Sequence, residues 1–386
     1  MSAPAAAELR REFLLDPEIA FLNHGAFGAC PRSVFERYQA RQRELELEPI
    51  DFFTRRAPAL FDTARATLAD YLGCDAQDLA FVQNTTTGVN VAARSVDLGP
   101  GDEILATDLE YGACDLAWEW VCRRSGARYV RAPIPLPLGD ATELVDAFFA
   151  AASEHTRALF VSHVTSTTGL VLPLEEILAR ARALGLTTVV DGAHGPAQVP
   201  VDLATLGADF YAGTCHKWLC SPKGSGFLHV RPEHQDRVDG AIVSWGYRDG
   251  MTFLHRIERQ GTRDPSAWLS VPDAIAFQAE RDWDAVRDRC RELAREARRE
   301  LGELVGTEPL APEEMLAQLA AVRLPHAGGD LTERLFKRHQ VEISVGGPHD
   351  DLLRVSVAAY TTREEIDRLL AALARELDPE DGQQDE

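Results

Sequence analysis

The chain has 386 residues, 45% of them hydrophobic and 26% charged, an ordinary globular composition with room for a large core and, at the usual domain size, two domains. Its net charge of −21 repels a phosphate backbone, which argues against nucleic acid or an anionic membrane as partner and means that an anionic ligand must be held by local donors. The seven cysteines are scattered, odd in number and without a Cys-x-x-Cys pair, so the sequence suggests neither a disulfide framework nor a zinc or other metal site.

From the N-terminus, Met1 to Glu8 lacks the basic-then-apolar texture of a signal peptide, and no apolar run reaches membrane-spanning length, so a cytoplasmic protein is expected. Seven short strand-like runs then follow: Leu79–Gln83, Glu103–Ala106, Arg128–Ala132, Arg157–His163, Leu186–Val190, Ala208–Gly213 and Gly226–Val230. Most are separated by segments of helical periodicity, and several are nearly continuous apolar runs. Such alternation predicts an α/β domain with a mostly parallel, buried sheet, whose ligands bind beyond the carboxyl ends of the strands. After about Thr262 the texture changes. Trp283, Val286, Cys290, Leu293, Ala297 and Leu301 recur at three- and four-residue steps, predicting one long amphipathic helix. Ala320–Leu324, Glu342–Val345 and Leu353–Val357 read as strands of a smaller α+β unit. The expected division is a large domain over 20–262, a small one from 1–19 with 263–375, and a disordered acidic tail over 376–386.

Four strand exits carry polar motifs. Gln83-Asn84-Thr85-Thr86-Thr87-Gly88 opens the helical run Val89–Arg94; amides and hydroxyls at a helix N-terminus form an anion site, although a plain threonine N-cap has the same signature. Glu110-Tyr111 offers an aromatic ring that either packs in the core or stacks on a flat ligand. In Val190-Asp191-Gly192-Ala193-His194 a carboxylate ends an apolar run; it is either a turn aspartate or the partner of a pyridine nitrogen. Cys215-His216-Lys217-Trp218 places a lysine at a strand end just before a glycine-rich stretch. A lysine there is either solvated or an amine nucleophile that forms a Schiff base with an aldehyde, the chemistry of pyridoxal phosphate enzymes. No P-loop and no G-x-G-x-x-G is present.

Asn84-Thr85-Thr86-Thr87-Gly88, Glu110-Tyr111, Ser162-His163-Val164-Thr165-Ser166, Asp191-Gly192-Ala193-His194, Cys215-His216-Lys217-Trp218 and Gly261-Thr262-Arg263-Asp264 occur in one order and spacing. As a set they resemble the class V aminotransferase family of pyridoxal phosphate enzymes, over roughly residues 10 to 370. Phe21-Leu22-Asn23-His24-Gly25-Ala26-Phe27-Gly28, Glu48-Pro49-Ile50-Asp51-Phe52-Phe53 and Leu353-Arg354-Val355-Ser356 are similar to its isopenicillin N epimerase-like branch. The resemblance implies the pyridoxal-phosphate-dependent transferase fold type I and the cofactor pyridoxal 5'-phosphate. It implies Lys217 as the Schiff-base lysine, and Asp191 at the pyridine nitrogen with Ala193 beneath the ring. His194 and Ser166 would lie at the phenolic oxygen and Tyr111 would stack on the ring, while Thr85, Thr86 and His216 would hold the phosphate. Thr262 would reach the phosphate of the partner subunit in a homodimer. Arg354, helped by Asn23, would bind the α-carboxylate of an amino-acid substrate, a task suited to the guanidinium fork.

The same cofactor supports several reactions. Epimerisation is the first reading, C–S β-elimination on a cysteine conjugate or sulfoxide the alternative, and transamination the third. Val341 to Asp351 contains no cysteine, whereas desulfurases of this fold need a mobile one before the carboxylate-binding arginine. The family's Ser-Ala-Gln run is replaced by Ser356-Val357-Ala358-Ala359, which points to a different substrate pocket. A non-catalytic pyridoxal phosphate sensor is disfavoured by the intact Lys217, Asp191 and Arg354, and by the short segment before Phe21.

Overall fold

A computed structural model describes residues 4–326, 328–347 and 349–377. The seven expected strands form one sheet: β1 (Leu79–Val82), β2 (Glu103–Thr107), β3 (Arg128–Ala132), β4 (Thr156–Ser162), β5 (Thr187–Gly192), β6 (Phe210–Thr214) and β7 (Gly226–Val230), in the order β1-β7-β6-β5-β4-β2-β3. Only β7 runs against the others. A parallel crossover takes about a dozen residues or more and usually a helix, and the link from Thr214 to Gly226 contains no helix. The fold is therefore α/β with a mostly parallel sheet.

Strand alternation sends side chains to two cores. Phe81, Leu105, Leu159, Val161, Val190, Tyr211 and Phe227 enter one. Val82, Ile104, Phe160, Val189, Phe210 and Leu228 enter the other, covered by the helices α1 (Thr85–Ser95) and α2 (Gly112–Ser125) through Val89, Ala92, Cys114 and Trp118. By the two-residue period Asp191 lies on the face of Val189, toward α2. Across the sheet it pairs in register with Ser162 on β4 and Ala212 on β6, so the polar strand exits share one edge.

A second, antiparallel sheet has the order β9-β10-β8, with β8 (Leu319–Arg323), β9 (Ser344–Gly346) and β10 (Leu352–Ser356). The long helix α3 (Trp283–Val305) buries Val286, Cys290, Ala294, Ala297, Leu301 and Val305. Its stripe thus passes through Ala294, with Trp283 and Leu293 at the margin. The expected strand Glu342–Val345 is divided. Val341–Glu342 pairs in parallel with Ala20–Phe21, and Ser344–Gly346 joins the second sheet. The break falls at Ile343, whose carbonyl accepts from the Asn23 side chain at 3.3 Å. The last helix, α4 (Arg363–Leu377), runs two residues into the stretch expected to be a disordered tail; residues 378–386 lie outside the described residues.

Residues 20–28 join the two sheets. Ser356 N–H donates to the Leu22 carbonyl at 2.7 Å, and Gly25 N–H to Ser356 Oγ at 3.0 Å. The segment then turns at Gly28, φ +70°, where a Cβ would lie 1.9 Å from the His216 carbonyl oxygen. Gly185 has the same φ of +70° with nothing within 4 Å of the corresponding position. Gly185→Ala should therefore cost only the left-handed conformation, about 1–2 kcal/mol, and Gly28→Ala distinctly more. Urea unfolding of the two variants measures this, and equal midpoints would show that the close approach at Gly28 is not a constraint.

Candidate active site

The exits of β1, β2, β4, β5 and β6 surround a cavity of about 190 Å³, lined among others by Thr85, Thr86, Tyr111, Ser166, Asp191, Ala193, His194, His216 and Lys217. It adjoins a second of about 340 Å³ that shares Phe27, Tyr111, Ser166 and Lys217 and adds Arg354. A wider cleft of about 560 Å³ lies between Leu172–Glu176 and Pro200–Leu206. It is bordered by Glu175, Glu176 and Asp202 and by no lysine or arginine, so its charged groups disfavour a phosphate or a carboxylate.

Lys217 follows β6, and two histidines hold it. His24 Nε2 donates to the Lys217 carbonyl at 3.0 Å, which leaves His24 Nδ1 to accept from Tyr360 Oη at 2.8 Å. His194 Nε2 lies 3.1 Å from Lys217 Nζ. The lysine is half-buried, with its amine facing the cavities. Burial pushes its pKa down to about 8 against the pull of Asp191, and Arg354 pushes the same way as burial. Burial also pushes His24 down to about 3 and His194 well below its usual range, so both rings are neutral near pH 7.

Asp191 is buried. Its Oδ1 accepts from Ala193 N–H at 2.8 Å and its Oδ2 from Cys114 Sγ at 3.3 Å. Burial raises its pKa, while the Ala193 amide, Lys217 and Cys114 lower it. The neighbouring Glu110 accepts from Thr107 Oγ1 at 2.6 Å and Ser162 Oγ at 2.5 Å, and burial raises it to about 8. Protonated at neutral pH, Glu110 spares the site a second negative charge beside Asp191.

At the other end of the cavity, the cap of α1 is Asn84 and not a threonine. Its Oδ1 accepts from the Thr87 N–H at 2.9 Å and the Thr87 hydroxyl at 3.1 Å. Thr85 and Thr86 are left to face the cavity at the positive end of an eleven-residue helix. Thr85 Oγ1 is bonded to Thr214 Oγ1 at 2.6 Å. His216 Nδ1 donates to the Ser225 carbonyl at 3.0 Å, and burial pushes its pKa down to about 4.

Arg354, on β10, is buried, 6% exposed. Its Nη1 donates to the Ser166 carbonyl, with Ser166 Oγ at 3.4 Å, and its Nη2 donates to Asn23 Oδ1 at 3.2 Å. Its Nε is buried without a partner. Burial lowers its pKa to about 10, and among the described residues no ion pair involves it. A buried guanidinium without a counter-charge is costly, and a carboxylate entering the adjoining cavity would relieve it.

The structure thus gathers Lys217, Asp191, Thr85, Thr86, Tyr111, Ser166, His194 and His216 around one cavity and Arg354 around the next. Asn23 lies behind Arg354 and outside both linings. Thr262 is exposed and also outside them. The sequence reading gave no role to Cys114, His24 or Trp218. The one available signal was the place of His24 and Trp218 inside quoted motifs.

A helix N-terminus, a buried carboxylate beyond it and a desolvated amine between them fit pyridoxal phosphate, with one group for each polar end and one for the aldehyde. The family profile described as Aminotransferase class-V matches residues 30–369. The isopenicillin N epimerase of Streptomyces clavuligerus is 42% identical over 95% of this chain and 97% of its own. Putative L-cysteine desulfhydrase 1 of Oryza sativa subsp. japonica is 32% identical over 84% of this chain and 71% of its own. A solved structure of a C-DES mutant with glycine covalently linked to its PLP cofactor superposes with a TM-score of 0.82, at 25% identity, over 95% of this chain and 98% of that one. The chain belongs to the class V aminotransferase family, in its isopenicillin N epimerase-like branch.

A lysine with a pKa of about 8 is half free amine at that pH, and the free fraction falls about tenfold per pH unit below it. Acylation of the cofactor-free protein, read by mass spectrometry, should show Lys217 modification rising with a midpoint near pH 8. A Lys217 profile still rising at pH 9 with no midpoint near 8 would show that Lys217 is not desolvated.

Proposed function

We propose that this class V aminotransferase family member is a pyridoxal 5'-phosphate enzyme that inverts the α-carbon of an amino acid held by its carboxylate. The observation that carries the amino-acid reading is the joint lining of one cavity by Lys217 and by the buried, uncompensated Arg354. A substrate whose carboxylate meets Arg354 presents its α-carbon to the Lys217 amine. The choice of epimerisation rests on the 42% identity to the Streptomyces epimerase.

Bound in this site, pyridoxal phosphate supplies an electron sink for the pair left when the α-proton departs. The chain's residues do the rest. The carboxylate of Asp191 would face the ring nitrogen and favour a proton there, an interaction that its burial would keep strong. Lys217 would hold the cofactor aldehyde and, as the free amine, its Nζ would take up the α-proton; inversion then requires a proton delivered to the opposite face of the α-carbon. His194 and Ser166 would lie at the phenolic oxygen. Thr85, Thr86 and His216 would hold the phosphate, and Tyr111 would cover the ring. Arg354 binds the carboxylate through its fork and Asn23 steadies Arg354, so that the α C–H bond is presented in one orientation.

The large unit is assigned to 20–262 and the small one to 1–19 with 263–375. A homodimer is the proposed working form, with Thr262 reaching the partner's phosphate. Two features support it. Thr262 lies on an exposed turn, and Ile242, Val243 and Trp245, which precede the helix leading to that turn, are 50%, 77% and 61% exposed.

C–S β-elimination is the second reading, favoured by the 32% identity to the rice desulfhydrase. It uses the same proton at Lys217 Nζ but expels a sulfur group. The holo-protein, incubated with L-amino acids, cysteine conjugates and sulfoxides, should build up the opposite α-epimer with no loss of nitrogen. Pyruvate and thiol without epimer would overturn epimerisation in favour of the lyase, and a ketoacid in favour of transamination.

Arg354→Lys keeps the charge and loses the fork. It should weaken substrate binding by about 1.5–3 kcal/mol, mostly in KM. Steady-state kinetics on the best acid substrate, beside its decarboxylated amine, measure this. Equal turnover of acid and amine by the unaltered protein would remove Arg354 from the site.

A further inference from the structure

Lys217 Nζ faces His194 Nε2 at 3.1 Å, and the other ring nitrogen, Nδ1, faces Trp218 Nε1 at 3.1 Å. An indole N–H only donates. His194 Nδ1 must therefore accept, and the neutral ring then carries its proton on Nε2. The imidazolium is excluded at this spot, because its Nδ1–H would be set against the indole N–H.

We infer that Trp218 is a positioning residue for the reaction: its indole N–H fixes His194 with the ring proton on Nε2, so that His194 offers Lys217 a donor and holds Nζ as the free, accepting amine. An ammonium has three donors and no acceptor, so it is repelled by Nε2–H, whereas the lone pair of the free amine completes the bond. Without the indole donor, the His194 proton is free to sit on Nδ1. The Nε2 lone pair would then accept from an ammonium and stabilise the unreactive form.

The other charged and titratable groups facing this trio divide. Asp191 and Cys114 draw Lys217 toward its protonated form, and Arg354 pushes it toward the amine. His24 and Arg354 push His194 toward neutrality. The tautomer lock therefore acts on the side of Arg354 against the attraction of Asp191, whose carboxylate the cofactor ring needs. The indole is itself held in place. Its ring lies 5.0 Å from that of His24, and the Trp218 carbonyl accepts from Gln278 Nε2 at 2.9 Å.

This inference rests on Lys217 being the reactive amine, and its tests use cofactor-free protein. Failure to bind pyridoxal phosphate would refute that reading while leaving these measurements standing. The chain has three lysines, so acylation profiles are resolved residue by residue. In Trp218→Phe the Lys217 midpoint should move up by about one pH unit and its rate at pH 7 fall about tenfold, with Lys337 unchanged. A purely structural role for Trp218 moves no midpoint, so an unshifted midpoint in a folded variant overturns the inference. The second measurement needs no altered tryptophan. Nitrogen-15 shifts of the His194 ring, assigned by their loss in His194→Gln, should report a neutral ring protonated on Nε2. A ring protonated on Nδ1, or on both nitrogens, overturns the inference even if Trp218→Phe does not fold.

Discussion

A guanidinium buried without a counter-charge is the constraint around which this site is built. Arg354 sits in a chain of net charge −21, yet among the described residues no ion pair involves it. Its partners are a carbonyl and hydroxyl of Ser166 and the amide oxygen of Asn23. Neutral acceptors position the fork without neutralising it, which leaves its attraction available to a ligand carboxylate. Arg354 stands on β10 and its partners come from the loop after β4 and the N-terminal segment, so holding it also joins the two sheets.

The charge balance in the cavity follows the same economy. His24, His194 and His216 are all kept neutral by burial, and Glu110 is raised to about 8 by burial. The formal charges are thus left to Asp191 and Arg354, with Lys217, its pKa lowered to about 8, poised between ammonium and amine. Arg354 at one end and a helix N-terminus at the other offer positive potential to a carboxylate and to a phosphate. The neutral histidines serve through directed hydrogen bonds, His24 to the backbone of Lys217 and His194 to its amine.

Fold and site leave the fate of the α-carbon to the substrate pocket. The epimerase and the desulfhydrase are both relatives of this chain, and the proposed removal of the α-proton by Lys217 would serve either reaction. What separates them is whether the bound side chain carries a leaving group and whether a proton returns to the opposite face. Phe27, 74% exposed, and Tyr111, 46% exposed, stand at the mouth where that side chain would enter.

The large sheet was legible in the sequence because each strand is a local apolar run ended by a polar motif. Lys217, Asp191 and the Asn84–Gly88 turn could be found for the same reason, since they lie at strand exits and a mostly parallel sheet brings those exits to one edge. The partners of these residues were not legible. Cys114 reaches Asp191 across 77 positions, His24 reaches Lys217 across 193, and Asn23 reaches Arg354 across 331. The identity of the α1 cap and the division of the strand at Ile343 were likewise decided by competing hydrogen-bond donors and acceptors. Local periodicity determines which segments become strands and which motifs end them. Only the tertiary structure decides which buried polar atom finds which partner, because in a dry interior each donor must be satisfied by whatever the fold brings within about 3 Å.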